Sequence, residues 1–234
     1  MANSLHNQLK LHYVPDISRH EVDVDNFRID AVDDDGRLIE IQCASLMAIR
    51  DKIRTLTECH KVVVVKPLAL RKRLLTKARR RGKVVRSRLS PQKQNLPWIF
   101  QELVHFTSAF PHPNLQLDIL LTAQEETRIP PKKPSRRRKY SVEDRSLASV
   151  EATFSVTTAE ELWQCLNADV PNVFTTADLA TGAAMPRWLA QKAAYCFRRM
   201  GCFEVCGKRG NSVEYRLAES PNEDVSTRSA DRAA

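Results

Sequence analysis

Four consecutive valines, Val62 to Val65, form the longest uninterrupted run of branched apolar residues in the chain. β-branched residues favour strands, and a strand without polar alternation is covered on both faces. The run is far shorter than the roughly 20 residues that a membrane helix needs. Hydrophobic residues make up 42% and charged residues 28% of the 234 positions, which is a globular composition. The sequence therefore predicts an α/β protein that does not span a membrane.

The cysteines and the N-terminal segment indicate the cellular location that we expect for the protein. The chain starts MANSLHNQLKLHY, which lacks the basic and then apolar pattern of an export signal. Its six cysteines have none of the paired spacings of a zinc site and are too few for a disulfide scaffold. We therefore expect reduced thiols and a cytoplasmic location.

The first half of the chain alternates between helical and strand patterns. Leu5, Leu9 and Tyr13 predict a short amphipathic helix that ends before Pro15. Residues 22–41 alternate around the DDDG turn and predict a β-hairpin with one strand on each side. Helical spacing follows over residues 46–56, before the valine strand. A further helix after Pro97 and a strand over 115–129 complete a predicted first domain, residues 1–130.

The second half has a different pattern. Residues 131–152 are predicted to be a basic linker. Residues 153–217 then give three short helices and two strands around a GKRGN loop, which is the order of a winged helix-turn-helix domain. Thr158 and Glu161 fit a capping box at the first of these helices, and Gly201 fits the end of the third. The polar tail, residues 218–234, is predicted to be disordered.

Positive charge is concentrated in the middle of the chain. Residues 1–60 carry 7 basic and 11 acidic side chains, whereas residues 61–145 carry 21 and 6. Ten of these basic residues lie in 71–88, a predicted insertion in the first domain, and six more in 130–140. Such density suits a phosphate backbone, although a solvated surface or a flexible linker would also account for it. The predicted DNA contacts of this region are Arg71, Lys72, Arg73, Arg79, Arg80 and Arg81.

Acidic residues of the predicted hairpin form a candidate metal site. Glu40 and Gln42 share one face of the second strand, and antiparallel pairing can bring Asp30 beside them. Two converging carboxylates repel each other unless they are protonated or bridged by a cation, for which Mg²⁺ or Mn²⁺ is suited. Such an ion would activate water for phosphodiester hydrolysis. The alternative is that Asp30 and Glu40 are exposed strand residues and Asp33, Asp34 and Asp35 simply form the turn.

The order helix, D-x9-E-x-Q hairpin, helix and buried strand resembles the core of the PD-(D/E)XK nuclease superfamily. Other segments, among them LHNQLKLHY, LIEIQ and FTTADLA, resemble a bacterial family of nuclease-like proteins that end in a winged helix. The resemblance implies a restriction-endonuclease-like mixed sheet flanked by helices. It also implies that Asp30, Glu40 and the Ile41 carbonyl bind the metal, with Glu21 as a third acidic contributor.

Gln42 departs from this pattern, because the superfamily usually has a lysine there. Glutamine can hold a water molecule by hydrogen bonds but supplies no charge. The resemblance allows the lysine to come from a neighbouring element, and Lys10 and Lys52 are the candidates. We count Gln42 and Lys52 with Asp30, Glu40 and Glu21 as candidate catalytic residues.

A winged helix inserts its third helix into the major groove and touches phosphate with its wing. Arg187, Gln191 and Lys192 are therefore predicted helix contacts, and Lys208 and Arg209 are predicted wing contacts. Some winged helices bind protein instead, and the zero net charge of residues 146–217 keeps that alternative open.

These patterns together predict a metal-dependent endonuclease that acts on duplex or branched DNA. Cutting both strands with one active site would call for a homodimer. The first alternative is a non-catalytic DNA-binding regulator or adaptor with a degenerate nuclease fold. The second is an RNA-binding protein that uses the basic segments.

Overall fold

A computed structural model of the chain describes residues 4–131 and 139–218. Its first part contains, in chain order, α1 (Ser4–Tyr13), β1 (His20–Val24), β2 (Phe27–Val32), β3 (Leu38–Ile41), α2 (Arg50–Thr57), β4 (Val62–Lys77), β5 (Val84–Leu89), α3 (Phe100–Leu103), β6 (Leu115–Ile129) and β7 (Ser141–Val156). Its second part contains α4 (Ala159–Leu166), β8 (Phe174–Thr175), α5 (Thr176–Gly182), α6 (Arg187–Arg199), β9 (Phe203–Arg209) and β10 (Ser212–Leu217).

The first part is built on one mixed sheet of seven strands, in the order β1-β2-β3-β4-β6-β7, with β5 paired to β4. β3, β4 and β6 are parallel, and the other pairs are antiparallel. The predicted α/β class with a mixed sheet flanked by helices is therefore confirmed. None of the described helices is long and apolar enough to cross a membrane.

The valine strand is covered on both faces, as predicted. Val63 and Val65 pack with Leu5 and Leu9 of α1 on one face. Val62 and Val64 belong to the larger core on the opposite face, together with Ile53 of α2. All four valines are almost completely buried.

The predicted hairpin has three strands rather than two. A turn at Asp25 and Asn26 separates β1 from β2, and Asp25 has a left-handed backbone with φ of 47°. The apolar positions change phase at this point, from Val22 and Val24 to Phe27 and Ile29, which a single strand cannot accommodate. Short polar residues such as Asp and Asn tolerate the left-handed conformation, so the chain reverses here.

The predicted basic insertion and linker are largely strands of the sheet. β4 runs for 16 residues through the basic segment and pairs with β6 almost throughout, and β5 returns along its far end. Residues 141–152, predicted as linker, lie in β7 and pair with β6. We call the extended end of the sheet, residues 71–89, 123–129 and 141–149, the basic arm. Residues 132–138 of the predicted linker lie outside the described residues.

The second part contains the predicted helices α4, α5 and α6 and the two strands around the GKRGN loop. The capping box of Thr158 and Glu161 is present, and Gly201 follows α6 with φ of 83°. A short strand, β8, extends the pair into a three-stranded sheet in the order β8-β10-β9. The backbone N–H of Ala218 donates to Cys202, and residues 219–234 of the predicted tail lie outside the described residues.

Candidate functional site

The candidate site forms where β2 and β3 diverge. These strands are paired only at Ala31–Ile39 and Val32–Leu38. Next to this pairing the carboxylate of Asp30 takes the place of a backbone acceptor, because its Oδ2 accepts a hydrogen bond of 2.7 Å from the Ile41 N–H. The side chain of Asp30 is thereby held against the end of β3, beside Glu40.

Glu40 is buried, with 8% of its surface exposed. Its Oε2 accepts a hydrogen bond of 2.6 Å from Lys52 Nζ of α2, and Lys52 also donates to the Arg28 carbonyl at 2.7 Å. Burial raises the pKa of Glu40 and the charge of Asp30 raises it further, while Lys52 opposes both. The two carboxylates are therefore close enough to influence each other, and the alternative that both are exposed strand residues is wrong.

His6 on α1 is the site residue that sequence analysis missed. Its Nε2 lies 3.1 Å from Asp30 Oδ2, and this hydrogen bond raises the pKa of His6 despite partial burial. His6 and Lys10 are four residues apart on α1, so both point to the same side of the helix. That spacing was the available signal, but it identifies no target before the fold is known.

Glu21 lies across from Asp30 in the ladder, and its carboxylate is paired with two cations. Its neighbours His20 and Val22 pair with Ala31 and Ile29, so Glu21 is opposite Asp30 in the ladder. Glu21 has a left-handed backbone with φ of 53°, and its carboxylate accepts hydrogen bonds from Lys10 and Arg28. These contacts lower the pKa of Glu21 and keep it ionised.

Gln42 turns away from the carboxylates. Its Oε1 accepts a hydrogen bond of 3.0 Å from the Ala44 N–H and so closes the turn after β3. Of the two lysines that could replace the missing one, Lys52 contacts Glu40, whereas Lys10 contacts Glu21.

The donor set of this site suits a hard cation. Asp30 and Glu40 provide carboxylate oxygens and Ile41 a backbone carbonyl, and Mg²⁺ and Mn²⁺ prefer oxygen ligands. Across residues 4–131 and 139–218, no group of three or more His, Cys, Asp and Glu side chains is placed to hold a metal ion. A metal here would therefore depend on two carboxylates, the carbonyl and water.

The basic residues predicted to contact DNA fall into two classes. Arg71, Lys72, Arg73 and Arg80 lie within 4 Å of Glu151, Glu126, Glu125 and Glu143, respectively. Arg79 and Arg81 have no acidic partner in the described part of the chain. The same is true of three further exposed cations on β5 or just before it, which are Lys83, Arg86 and Arg88. Unneutralised positive charge therefore lies on β5 and the β4–β5 turn.

The predicted contacts of the second part are at the surface. Arg187 and Gln191 lie on the exposed side of α6, and Lys192 Nζ lies 5.8 Å from the centre of the Trp188 ring. Lys208 and Arg209 lie at the end of β9, and Arg209 is paired with Glu214 at 2.9 Å. Arg187, Gln191, Lys208 and Arg209 are exposed, and Lys192 is half-exposed.

The fold and site define an α/β protein whose mixed sheet carries one buried and one half-buried carboxylate. The chain belongs to the family described as a domain of unknown function, DUF8091, whose model matches residues 3–157. It is also 29% identical over 224 residues to an uncharacterized protein of Treponema pallidum (strain Nichols), covering 95% of this chain and 87% of that relative. No solved structure matches the chain. The family match ends one residue after β7.

Proposed function

We propose that this protein is a metal-dependent nuclease that hydrolyses phosphodiester bonds in DNA. One observation carries the proposal: the half-buried Asp30 and the buried Glu40 lie on neighbouring strands where β2 and β3 diverge, with Lys52 on Glu40. Burying two carboxylates costs free energy unless a cation accompanies them. With β1 as one additional strand, the element order keeps the helix, hairpin, helix and buried strand on which the resemblance to PD-(D/E)XK nucleases rests.

Each residue has a distinct role in this proposal. Asp30, Glu40 and the Ile41 carbonyl would hold Mg²⁺ or Mn²⁺, which supplies an activated water and neutralises charge on the phosphate. Lys52 balances the charge of Glu40 and can donate to a phosphate oxygen, the role expected of the lysine that Gln42 replaces. His6 orients Asp30 through Oδ2 and can exchange a proton there. Glu21 acts indirectly, because it holds Lys10.

The proposal assigns DNA contact to two other surfaces. The cations of the basic arm without acidic partners would bind the backbone, where each neutralised phosphate releases counterions. The second part would act as a winged helix, with α6 carrying Arg187, Gln191 and Lys192 and the β9–β10 turn carrying Lys208 and Arg209. A homodimer would supply a second active site for the opposite strand.

The second candidate function is a DNA-binding protein without nuclease activity. Two observations favour it: Gln42 is turned to Ala44, and Lys52 occupies an oxygen of Glu40 that a metal would need. Both functions share the DNA-binding surfaces, so only catalysis distinguishes them.

The deciding experiment compares cleavage of labelled duplex, branched and single-stranded DNA in Mg²⁺ or Mn²⁺ by wild type, Asp30→Asn, Glu40→Gln and Asp51→Asn. Asp51→Asn is the matched control, because Asp51 neighbours Lys52 but is exposed. We expect wild type and Asp51→Asn to cut, and Asp30→Asn and Glu40→Gln to lose activity by about 100-fold or more while still binding DNA. Binding without cutting by wild type in either metal would reject the nuclease and favour the second candidate.

A further inference from the structure

A cavity lies along the edge of β4 in the gap between β3 and β5. β3 leaves β4 after the Ile41–Val65 pair, and β5 joins it only at Arg73. The gap holds a cavity of about 240 Å³. Val65 accepts from the Gln42 N–H on this edge, so Pro67, two residues on, faces the same way. Proline has no N–H to leave unpaired there, which fits an edge kept open.

The wall of the cavity combines amides, cations, the Glu102 carboxylate and an aromatic ring. Its polar lining includes Gln94, Gln101, Gln124, Lys66 and Lys72, and Trp98 provides the ring. The Oε1 of Gln94 accepts from the Ala69 N–H, so its amide NH₂ remains a donor. Lys66 is buried, donates to the Ala44 carbonyl and lies 3.5 Å from Glu102.

The amides, cations and ring of the wall are suited to binding a polar ligand that has an aromatic base. Amide groups hydrogen-bond to the edges of nucleobases, aromatic rings stack on their faces, and lysines bind phosphate. The cavity therefore offers the complementary chemistry of one nucleotide.

The cavity also lies between the carboxylate site and α6. Cys43 and Ala44 in its wall follow Gln42, whose N–H donates to the Val65 carbonyl beside the end of β3. At the other end, the Trp98 ring packs edge-on against Trp188 of α6 at 5.7 Å. A nucleotide in the cavity would thus lie between the carboxylate site and the exposed surface of α6.

We propose that this cavity binds one unpaired nucleotide of the substrate strand, next to the phosphodiester bond that is cut. Trp98 stacks on the base, and Gln94, Gln101 and Gln124 contact its edges. Lys72, whose ion pair with Glu126 is long at 3.9 Å, contacts a phosphate. This inference rests on the proposed function and adds a substrate class to it. A base inside a duplex cannot enter a cavity without leaving the stack, so single-stranded, gapped or flapped DNA is preferred over perfect duplex.

The test measures binding and cutting separately. Calorimetry without metal compares deoxynucleoside monophosphates, inorganic phosphate and a single-stranded oligonucleotide on wild type, Trp98→Ala, Gln101→Ala and Gln92→Ala. Gln92 is exposed, lies near Gln94 in sequence and does not line the cavity, so Gln92→Ala is the matched control. We expect Trp98→Ala and Gln101→Ala to weaken mononucleotide binding by about 5- to 100-fold and Gln92→Ala to leave it unchanged. Because Trp98 also packs on α6, Gln101→Ala keeps the test decisive if Trp98→Ala fails to fold.

Cutting assays on single-stranded, gapped and fully duplex DNA complete the test. Preference for the unpaired substrates, reduced in Gln101→Ala, supports the inference. Three outcomes would each overturn it. The first is that the protein cuts all three substrates equally, and the second is that it binds inorganic phosphate as tightly as mononucleotides. The third is that the oligonucleotide does not displace bound mononucleotides. If wild type binds mononucleotides through Gln101 but cuts nothing, the nuclease proposal fails on its own.

Discussion

Two buried glutamates show how partner cations decide the chemistry open to a side chain. Glu126 in the basic arm lies within 4 Å of Arg128, Arg145 and Lys72. Burial alone would raise its pKa, but these cations outweigh burial and lower it. Burial raises the pKa of Glu40, the charge of Asp30 raises it further, and Lys52 does not offset them. The positive charge around Glu40 therefore does not offset its burial, whereas the positive charge around Glu126 does.

Glu126 gives the first prediction at this scale. Because its pKa lies below the usual 4.5, the folded state binds the proton of Glu126 less tightly than the unfolded state does. Its contribution to stability is complete above pH 4.5 and disappears as pH falls through the lowered pKa. We expect Glu126→Gln to reduce the free energy of unfolding by about 1–3 kcal/mol at pH 7, and the difference from wild type to shrink below pH 4.5.

Urea unfolding across this pH range checks the prediction. Glu125→Gln is the control, because the neighbouring Glu125 is 41% exposed and its pair with Arg73 is long, at 3.8 Å. An exposed pair contributes at most about 1 kcal/mol. A deficit in Glu126→Gln that stays constant from pH 7 to pH 3 would contradict the assigned ion cluster.

At the scale of elements, sequence patterns predicted the helices and central strands but not the length of the sheet. Alternation and capping residues are local signals, so α1, α4, α5, α6 and β6 were predictable from them. The strands of the basic arm have no such signal, since all six residues of β5 are exposed and Leu74 is the one fully buried residue of β4 beyond Ala69. In the basic arm, β4 and β7 are strands because they pair with β6, and β5 is a strand because it pairs with β4.

Some residues of the candidate site could likewise be predicted from local sequence patterns, and others could not. Alternation along one hairpin was enough to bring Asp30 and Glu40 together, because both lie on strands joined by a short turn. His6, Lys66 and the cavity depend on how α1 and α3 pack on the sheet, and such long-range packing leaves no local pattern. Gln42 lies just after the end of β3, and its Oε1 accepts a hydrogen bond from the Ala44 N–H.

The basic arm supplies the prediction at this scale. Arg86 and Arg88 on β5 have no acidic partner among the described residues, whereas Arg71 and Arg73 are paired with Glu151 and Glu125. We expect the double variant Arg86→Gln/Arg88→Gln to lower the slope of log DNA affinity against log salt concentration by about 2. Each free cation that neutralises a DNA phosphate releases about one counterion. Arg71→Gln with Arg73→Gln removes the same charge but is expected to change the slope less.

Fluorescence anisotropy of labelled DNA over a range of salt concentrations measures both slopes. The second double variant is the matched control for net charge. Equal slopes for the two double variants would mean that total charge, not the position of free cations on β5, determines binding.

At the scale of the whole molecule, the two parts share one core. The Phe197 ring of α6 lies 5.2 Å from the Phe100 ring of α3, and buried residues of both parts belong to one cluster. The family match ends at residue 157, yet the relative from Treponema pallidum aligns over 95% of the chain. The alignment therefore extends through most of the second part, whose packing on α3 fixes α6 relative to the cavity.

This shared core predicts that both parts unfold together. Phe197 is completely buried, so Phe197→Ala removes contacts to both and is expected to lower the free energy of unfolding by about 3–5 kcal/mol. Tyr195→Ala is the control, since Tyr195 is two residues away on α6 and 48% exposed, and it should cost about 0.5 kcal/mol or less.

Hydrogen exchange of the β4 amides at Val62–Val65, compared with those of α6, reports on each part. We expect Phe197→Ala to speed exchange in both by the same factor, because one cooperative transition exposes both. Faster exchange in α6 alone would mean that the second part opens independently, and that its position beside the cavity is not fixed by the fold.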